Sequence, residues 1–159
     1  MPNTYTQLYT HIVFTVKGRY NLIPSNHRED LQKYITGIIQ NKNCKVMAIY
    51  ANPDHIHIFV SMSPEISVSS LVREIKANSS RWINNKNWFK TKFAWQEGFG
   101  AFSNSKSQLS GVVKYILNQK EHHKKRTFKK EYLEFLEKYG VEYDEKYLFE
   151  WIDTDEQDK

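Results

Sequence analysis

The run His55-Ile56-His57-Ile58-Phe59-Val60-Ser61-Met62 constrains the fold more than any other stretch of the chain. It follows the turn signal Asn52-Pro53-Asp54 and alternates, with Ile56, Ile58, Val60 and Met62 on one side and His55, His57, Phe59 and Ser61 on the other. A half-buried strand has this pattern. Imidazoles at i and i+2 also converge on one point above a sheet, and two neutral imidazoles make half of a metal site.

The flanking segments fix the plan around this strand. Tyr5 to Arg19 reads as an opening strand rich in Tyr, Thr, Val and Ile, closed by Lys17-Gly18-Arg19. A helix follows, with Ser25 or Asn26 as N-cap and an apolar stripe of Leu31, Tyr34, Ile35, Ile38 and Ile39. Lys45 to Ala51 pairs with the histidine strand as a hairpin across the Asn-Pro-Asp turn. A second helix carries Val68, Leu71, Val72, Ile75 and Trp82, and residues 92–103 form an aromatic strand interrupted by glycines. Residues 105–123 and 129–139 predict two more helices.

The order β-α-β-β-α-β-α predicts an α+β fold of the ferredoxin-like, split βαβ kind: a four-stranded antiparallel sheet with two helices on one face. If Ile56, Ile58 and Val60 meet those helices, the histidines face the sheet's other side. That side is then either covered by something else or is the working surface.

Bulk properties narrow the function classes. A chain of 159 residues is expected to form one domain. The lone Cys44 excludes an intramolecular disulfide and a multi-cysteine zinc site. No apolar run reaches the roughly 18 residues of a membrane span, and no signal-peptide pattern opens the chain, so a cytoplasmic location is expected. The net charge of +5 is uneven: residues 144–159 hold seven acids and two bases, leaving an excess of +10 on residues 1–143. Such an excess suits a polyanionic partner.

The predicted third helix supplies what a metal-assisted reaction lacks. Leu109, Val113, Ile116 and Leu117 cluster on one side, and Tyr115 points away from them with Gln119 at i+4. Gln119 can offer a carbonyl oxygen to a hard divalent cation while Tyr115 presents its phenol beside it. The matching chemistry is attack of the phenol on a phosphodiester, with a cation held by His55, His57 and Gln119 stabilising the developing charge. A phosphotyrosine ester conserves the energy of the broken bond, so strands can be rejoined without ATP.

At this point the residues resemble a known family. Pro53-Asp54-His55-Ile56-His57-Ile58-Phe59, then Lys92 to Ser103 with its Trp95-Gln96-Glu97-Gly98, then Tyr115 with Gln119, are similar to the single-tyrosine HUH transposases of the insertion-sequence 200-like type. Each motif alone is weak, and the three in order make the signal. The resemblance runs from about Tyr5 to at least Trp151. It implies one transposase domain over 1–159, with a catalytic core of about 5–120 and a helical, acidic tail of about 128–159. It also implies a homodimer with active sites shared between subunits, single-stranded DNA with hairpin ends as substrate, and Mg²⁺ or Mn²⁺ as cofactor. Carried over by motif, His55, His57 and Gln119 are the metal ligands and Tyr115 is the nucleophile that forms a 5′-phosphotyrosine link.

Arg73, Lys76 and Arg81 are the candidate DNA contacts, set among Trp82, Trp88 and Trp95. Trp82 and Trp95 are expected in the core. His122 and His123 lie in a basic run and read as solvated or phosphate-contacting, while Asp54 reads equally as a turn residue or a support for a histidine. An RNA-binding module of this plan would place aromatics where the histidines stand, and a metal hydrolase barrel needs roughly 250 residues. The remaining alternatives are another HUH nuclease, a relaxase or rolling-circle initiator, and a host-adopted relative that binds hairpin DNA.

Overall fold

The computed structural model describes residues 3–152. Four strands, β1 (Tyr9–Thr15), β2 (Lys45–Ala51), β3 (His55–Ser61) and β4 (Gly100–Asn104), form one antiparallel sheet in the order β2-β3-β1-β4. This is the ferredoxin-like arrangement that the element order predicts, with β3 inside the sheet. The Asn52-Pro53-Asp54 turn closes the β2–β3 hairpin, where Asn52 N donates to His55 O at 2.8 Å. Trp95 adds an isolated bridge to Val16.

Alternation along the strands separates two faces. Ile12, Phe14, Ile56, Ile58 and Val60 are fully buried with Leu31, Ile35 and Ile39 of α1 (Arg28–Asn41) and Leu71 and Ile75 of α2 (Val68–Lys86). Helix α1 begins later than its sequence suggests. Pro24 leads into a 3₁₀ turn over Ser25–His27, so neither Ser25 nor Asn26 caps the α-helix. Helix α2 is capped as expected for its type, Ser67 accepting from Ser70 N, and it ends at Asn87 in the left-handed region. Trp95 is in the core, donating its Nε1 proton to Ser79, whereas Trp82 is only partly buried and stacks on Tyr34 at 4.6 Å.

The second face carries His11, His57, Phe59 and Phe102, and it too is covered. Helix α3 (Leu109–Leu117) packs Ile116 onto Ala48 and Phe59. Helix α5 (Phe128–Lys138) packs Phe128, Tyr132 and Leu136 into the main core. Between them lies the single turn α4 (Gln119–His122). The expected continuous helix over 105–123 is therefore broken at Asn118, whose ψ of 24° leaves the helical region. Leu117 becomes 61% exposed while Gln119 is fully buried, the reverse of the face assignment from periodicity.

The aromatic strand expected over 92–103 shortens to β4 because Gly98, with φ of +85°, and the preceding Gln96 take another course. Gln96 is buried and bonds in two directions. Its backbone N donates to Thr15 O at 2.9 Å, and its side chain donates to Val16 O at 3.0 Å and to Glu150 O at 2.8 Å while accepting from Glu150 N at 2.8 Å. The chain after α5 is thus fastened to the end of β1, with Phe149 buried beside Phe128 and Tyr132.

The contact of α5 with the sheet depends on Gly100. A Cβ there would lie 2.6 Å from Tyr132 Oη and 2.8 Å from its Cε2. Gly100→Ala is expected to lower stability by about 1–3 kcal/mol through this overlap, read as a lower urea midpoint. An unchanged midpoint would mean that Tyr132 does not rest on β4.

Candidate functional site

Adjacent strands bring His57 and His11 together on the second face of the sheet, since His57 pairs with Val13 and His11 with Phe59. His55 is 1% and His57 0% exposed. Each ring has one nitrogen held from behind. His55 Nδ1 lies 2.7 Å from Asp54 Oδ1, and His57 Nδ1 lies 2.8 Å from His11 Nε2. Asp54 is thus the support for a histidine as well as a turn residue. With those nitrogens engaged, the two Nε2 atoms point at a common partner, the carboxylate of Glu131 on α5.

Glu131 is fully buried, and its Oε1 lies 3.0 Å from His57 Nε2, 3.5 Å from His55 Nε2 and 3.4 Å from His123 Nε2. The ligand atoms of His55, His57, His123 and Glu131 all fall within 4.8 Å of one another. Two donors each about 2.1 Å from one ion are separated by roughly 3.0–3.4 Å at octahedral or tetrahedral angles. The separations from Glu131 Oε1 are close to that size, and the chemistry of the donor set, three imidazoles and a carboxylate, suits a divalent cation. Gln119 completes the ring: its Oε1 accepts from Asn52 Nδ2 at 3.2 Å and lies 3.0 Å from His123 Nε2. Its Nε2 lies 3.4 Å from Glu131 Oε2.

Tyr115 reaches the same carboxylate. Its hydroxyl donates to Glu131 Oε2, and Arg126 Nη2 donates to Tyr115 Oη at 2.6 Å. Arg126 is also paired with Glu134. The Tyr115 ring is 6.1 Å from that of His57 and stacks on His122 at 4.4 Å. His55, His57, Gln119 and Tyr115, chosen from sequence spacing, therefore meet around one point within a single chain.

Electrostatics follow from this crowding. Burial opposes the negative charge of Glu131, but His57, His123 and His55 outweigh it and hold the carboxyl well below the usual range. Burial also opposes charge on His55, yet the Asp54 and Glu131 carboxylates raise its pKa to about 9. His57 is lowered by burial, only partly offset by Glu131, and His11 is lowered further by burial and by its neighbour His57. Burial and the Glu131 charge push the Tyr115 phenol above its ordinary value, with Arg126 acting against them. As it stands, Tyr115 is protonated and tied to a carboxylate.

The DNA candidates lie elsewhere. Helix α2 is on the opposite face of the sheet from the histidines. Arg73 and Arg81 are exposed there, but Lys76 turns inward. Its Nζ donates to Gln96 O at 2.8 Å and Gly98 O at 2.5 Å, lies 5.2 Å from the Phe14 ring centre, and has its pKa lowered to about 8 by burial. Lys76 is thus a structural cation rather than an exposed phosphate contact.

Sequence reasoning missed Glu131, His11, Arg126 and the place of His123. His123 is in the cluster rather than in solvent, with its Nε2 3.4 Å from Glu131 Oε1 and 3.0 Å from Gln119 Oε1. Glu131 left a legible trace: Phe128, Glu131, Tyr132, Phe135 and Leu136 form one helical stripe, and an acid inside an apolar stripe is a buried acid.

The raised pKa of His55 sets a pH dependence. A histidine with pKa near 6.5 unfolded and about 9 folded contributes stability that is complete below 6.5 and lost as pH rises through 9. Lys76, lowered to about 8, acts oppositely only above that pH. The metal-free protein is expected to lose up to about 1.4 kcal/mol per pH unit between pH 6.5 and 8, seen as a falling melting temperature that Asp54→Asn flattens. A flat profile in the unsubstituted protein would contradict a charged His55.

Comparison with known proteins agrees with this geometry. The model of the family described as "Transposase IS200 like" matches residues 4–119, well over half of the chain. The ISDra2 transposase TnpA of Deinococcus radiodurans is 22% identical over 120 residues, spanning 71% of this chain and 84% of that protein. The transposase for insertion sequence element IS200 of Salmonella typhimurium is 25% identical over 119 residues, spanning 72% and 78%. A solved REP-associated tyrosine transposase bound to a REP hairpin shares the fold, with a TM-score of 0.59 at 18% identity over 76% of this chain and 72% of that one. Family match, sheet topology and the histidine strand lead to one conclusion: this chain belongs to the IS200-like transposase family.

Proposed function

We propose that the protein cleaves and rejoins single-stranded DNA at hairpin ends through a 5′-phosphotyrosine intermediate on Tyr115. The observation that carries this reading is the meeting of Tyr115 Oη, the Nε2 atoms of His55 and His57, and Gln119 around the Glu131 carboxylate. A nucleophile and a cation-binding donor set share one buried point. The hairpin-bound relative of the same fold supports hairpin DNA as the substrate class.

His55 and His57 hold their Nε2 atoms inward because Asp54 and His11 engage the other nitrogens. Gln119, His123 and Glu131 supply oxygen and nitrogen donors around them. Three imidazoles beside a carboxylate suit Mn²⁺ better than Mg²⁺, which prefers oxygen. A divalent cation bound there supplies positive charge that stabilises the phosphate in its transition state and offsets the Glu131 charge that keeps the phenol protonated. In the attack Tyr115 Oη bonds to phosphorus, its proton passes to a carboxylate or water, and the P–O3′ bond breaks as the leaving oxygen takes up a proton from water and departs as a 3′-hydroxyl. Rejoining reverses these steps on a second strand end. Arg126, already bonded to Tyr115 Oη, is the cation of the chain that favours the phenolate.

The test is an SDS-resistant protein–DNA adduct with single-stranded oligonucleotides from both flanks of the gene, in Mn²⁺ or Mg²⁺. Tyr115→Phe and EDTA are each expected to reduce the adduct at least about 10³-fold. Tight hairpin binding with no adduct on any strand would favour the hairpin-binding, host-adopted alternative.

A homodimer with shared sites is compatible with this reading, since exchange of α3 between two copies would rebuild the same constellation. Mixing Tyr115→Phe with His55→Asn protein decides the matter. Recovery of adduct formation means that Tyr115 acts across the dimer, and no recovery means that each chain uses its own.

A further inference from the structure

Gly111 stands on the wall of an open cavity for no reason that the fold supplies. It lies in α3 without a positive φ, and a Cβ there would meet nothing within 4 Å. Glycine is a poor helix former, so alanine at this place would suit the helix better and clash with nothing. The bare backbone borders a cavity of about 470 Å³ between α3 and α5. That volume falls within the roughly 300–1,000 Å³ of pockets that take a small ligand. The α5 wall lies beyond residue 119, where the match to the family ends.

The lining has the chemistry of a site for one nucleotide. Tyr115 and Arg126 meet beside Glu131, and Lys138 and Tyr139 lie two helix turns, about 10 Å, farther along α5. Phe135 stands between them, with its ring 5.8 Å from that of Tyr115. Phe135 and Tyr139 both stack on Phe102, which makes an aromatic wall against which an unpaired base can lie. Asn104 accepts from the Tyr139 hydroxyl at 2.9 Å, and Gln108 accepts from Ser105 N at 2.9 Å. Each of these amides keeps an N–H donor for the polar edge of a base. Glu134 is already paired with Arg126. Outside the cavity, residues 120–130 hold six bases and one acid, and Lys120, Lys125, Lys129 and Lys130 are exposed. A phosphate backbone leaving past Arg126 meets this cationic rim.

We propose that the cavity seats one unstacked base of the cleaved strand, adjoining the phosphate that Tyr115 attacks, and that the bare backbone of Gly111 makes room for it. This rests on the transesterification reading above and adds to it a base contact made by the protein. The phosphate lies at Tyr115 and Arg126, the base lies along Phe135 and Tyr139, and the amides of Asn104 and Gln108 face its edge. A base held there fixes the register of the strand, so that one particular phosphate is presented to the nucleophile. The seat changes no bond of the reaction; it selects where the reaction occurs.

The probe is the flank oligonucleotide that forms the Tyr115 adduct, with each nucleotide around the joined phosphate replaced in turn by an abasic one. The readout is the rate of adduct formation at subsaturating DNA. With the unsubstituted protein, one position next to the joined phosphate is expected to lose about 10–100-fold, and a scan with no such position overturns the proposal without recourse to any variant. Gly111→Leu, whose side chain enters the cavity, is expected to melt no lower than the unsubstituted protein and to lose a similar factor on the intact strand. The abasic change should then cost it nothing more, while Gly111→Ala stays within about threefold of the original. Full rate in Gly111→Leu, or an equal loss in Gly111→Ala, overturns the seat alone. So does a change of oligomeric state in Gly111→Leu by light scattering, which would assign the cavity to a second copy of the chain. No adduct from the unsubstituted protein on any flank strand overturns the transesterification reading itself.

Discussion

A single buried carboxylate organises this protein. Glu131 sits at the centre of the second sheet face, within hydrogen-bond or ion-pair reach of His55, His57, His123, Gln119 and Tyr115. An ionised acid with no exposure would cost several kcal/mol if left alone. Here the imidazoles and the phenol surround it, and the same contacts fix their own directions. The apolar stripe of α5 supplies the hydrophobic anchorage, with Phe128 stacked on His55 at 3.8 Å, so that packing energy holds the charged centre in place. Removing that helix would strip the histidines of their common partner and uncover Phe102, which packs on Tyr132 and Phe135.

The plan of the sheet was legible because its strands alternate cleanly and its turns carry strong signals. Ile56, Ile58 and Val60 could only face helices, and the Asn52-Pro53-Asp54 turn placed the hairpin correctly. The histidine pair and the tyrosine–glutamine pair were legible for a different reason: their spacing is short, so a local element suffices to bring each pair together. What was hidden is long-range. His11 is 46 residues from His57 and Glu131 is 74 residues from it, and only the folded sheet and the return of α5 reveal those contacts. The break at Asn118 was hidden too, since nothing in the periodicity of 105–123 announces it.

Charge was a poorer guide to surface. Lys76 belongs to a basic segment, yet the chain uses it to satisfy two carbonyls where the Gln96–Gly98 bend leaves the sheet. A loop that abandons strand pairing exposes backbone acceptors, and a long cationic side chain is an effective way to meet them. Arg73 and Arg81, three residues before it and five after, remain outside. Composition registers all three alike, although only burial distinguishes a structural cation from an available one.

The double hold of Gln96 has a mechanical meaning. Its side chain ties Glu150 to the end of β1, while the chain enters α5 at the capped Thr127 near the histidine cluster. Helix α5 is therefore held by its own apolar stripe, and the chain beyond it is fastened at Glu150. Movement of Glu131 toward or away from the histidines is then a matter of side-chain rotation on a stationary helix. A rotating carboxylate can yield its place in far less time than an undocking helix needs.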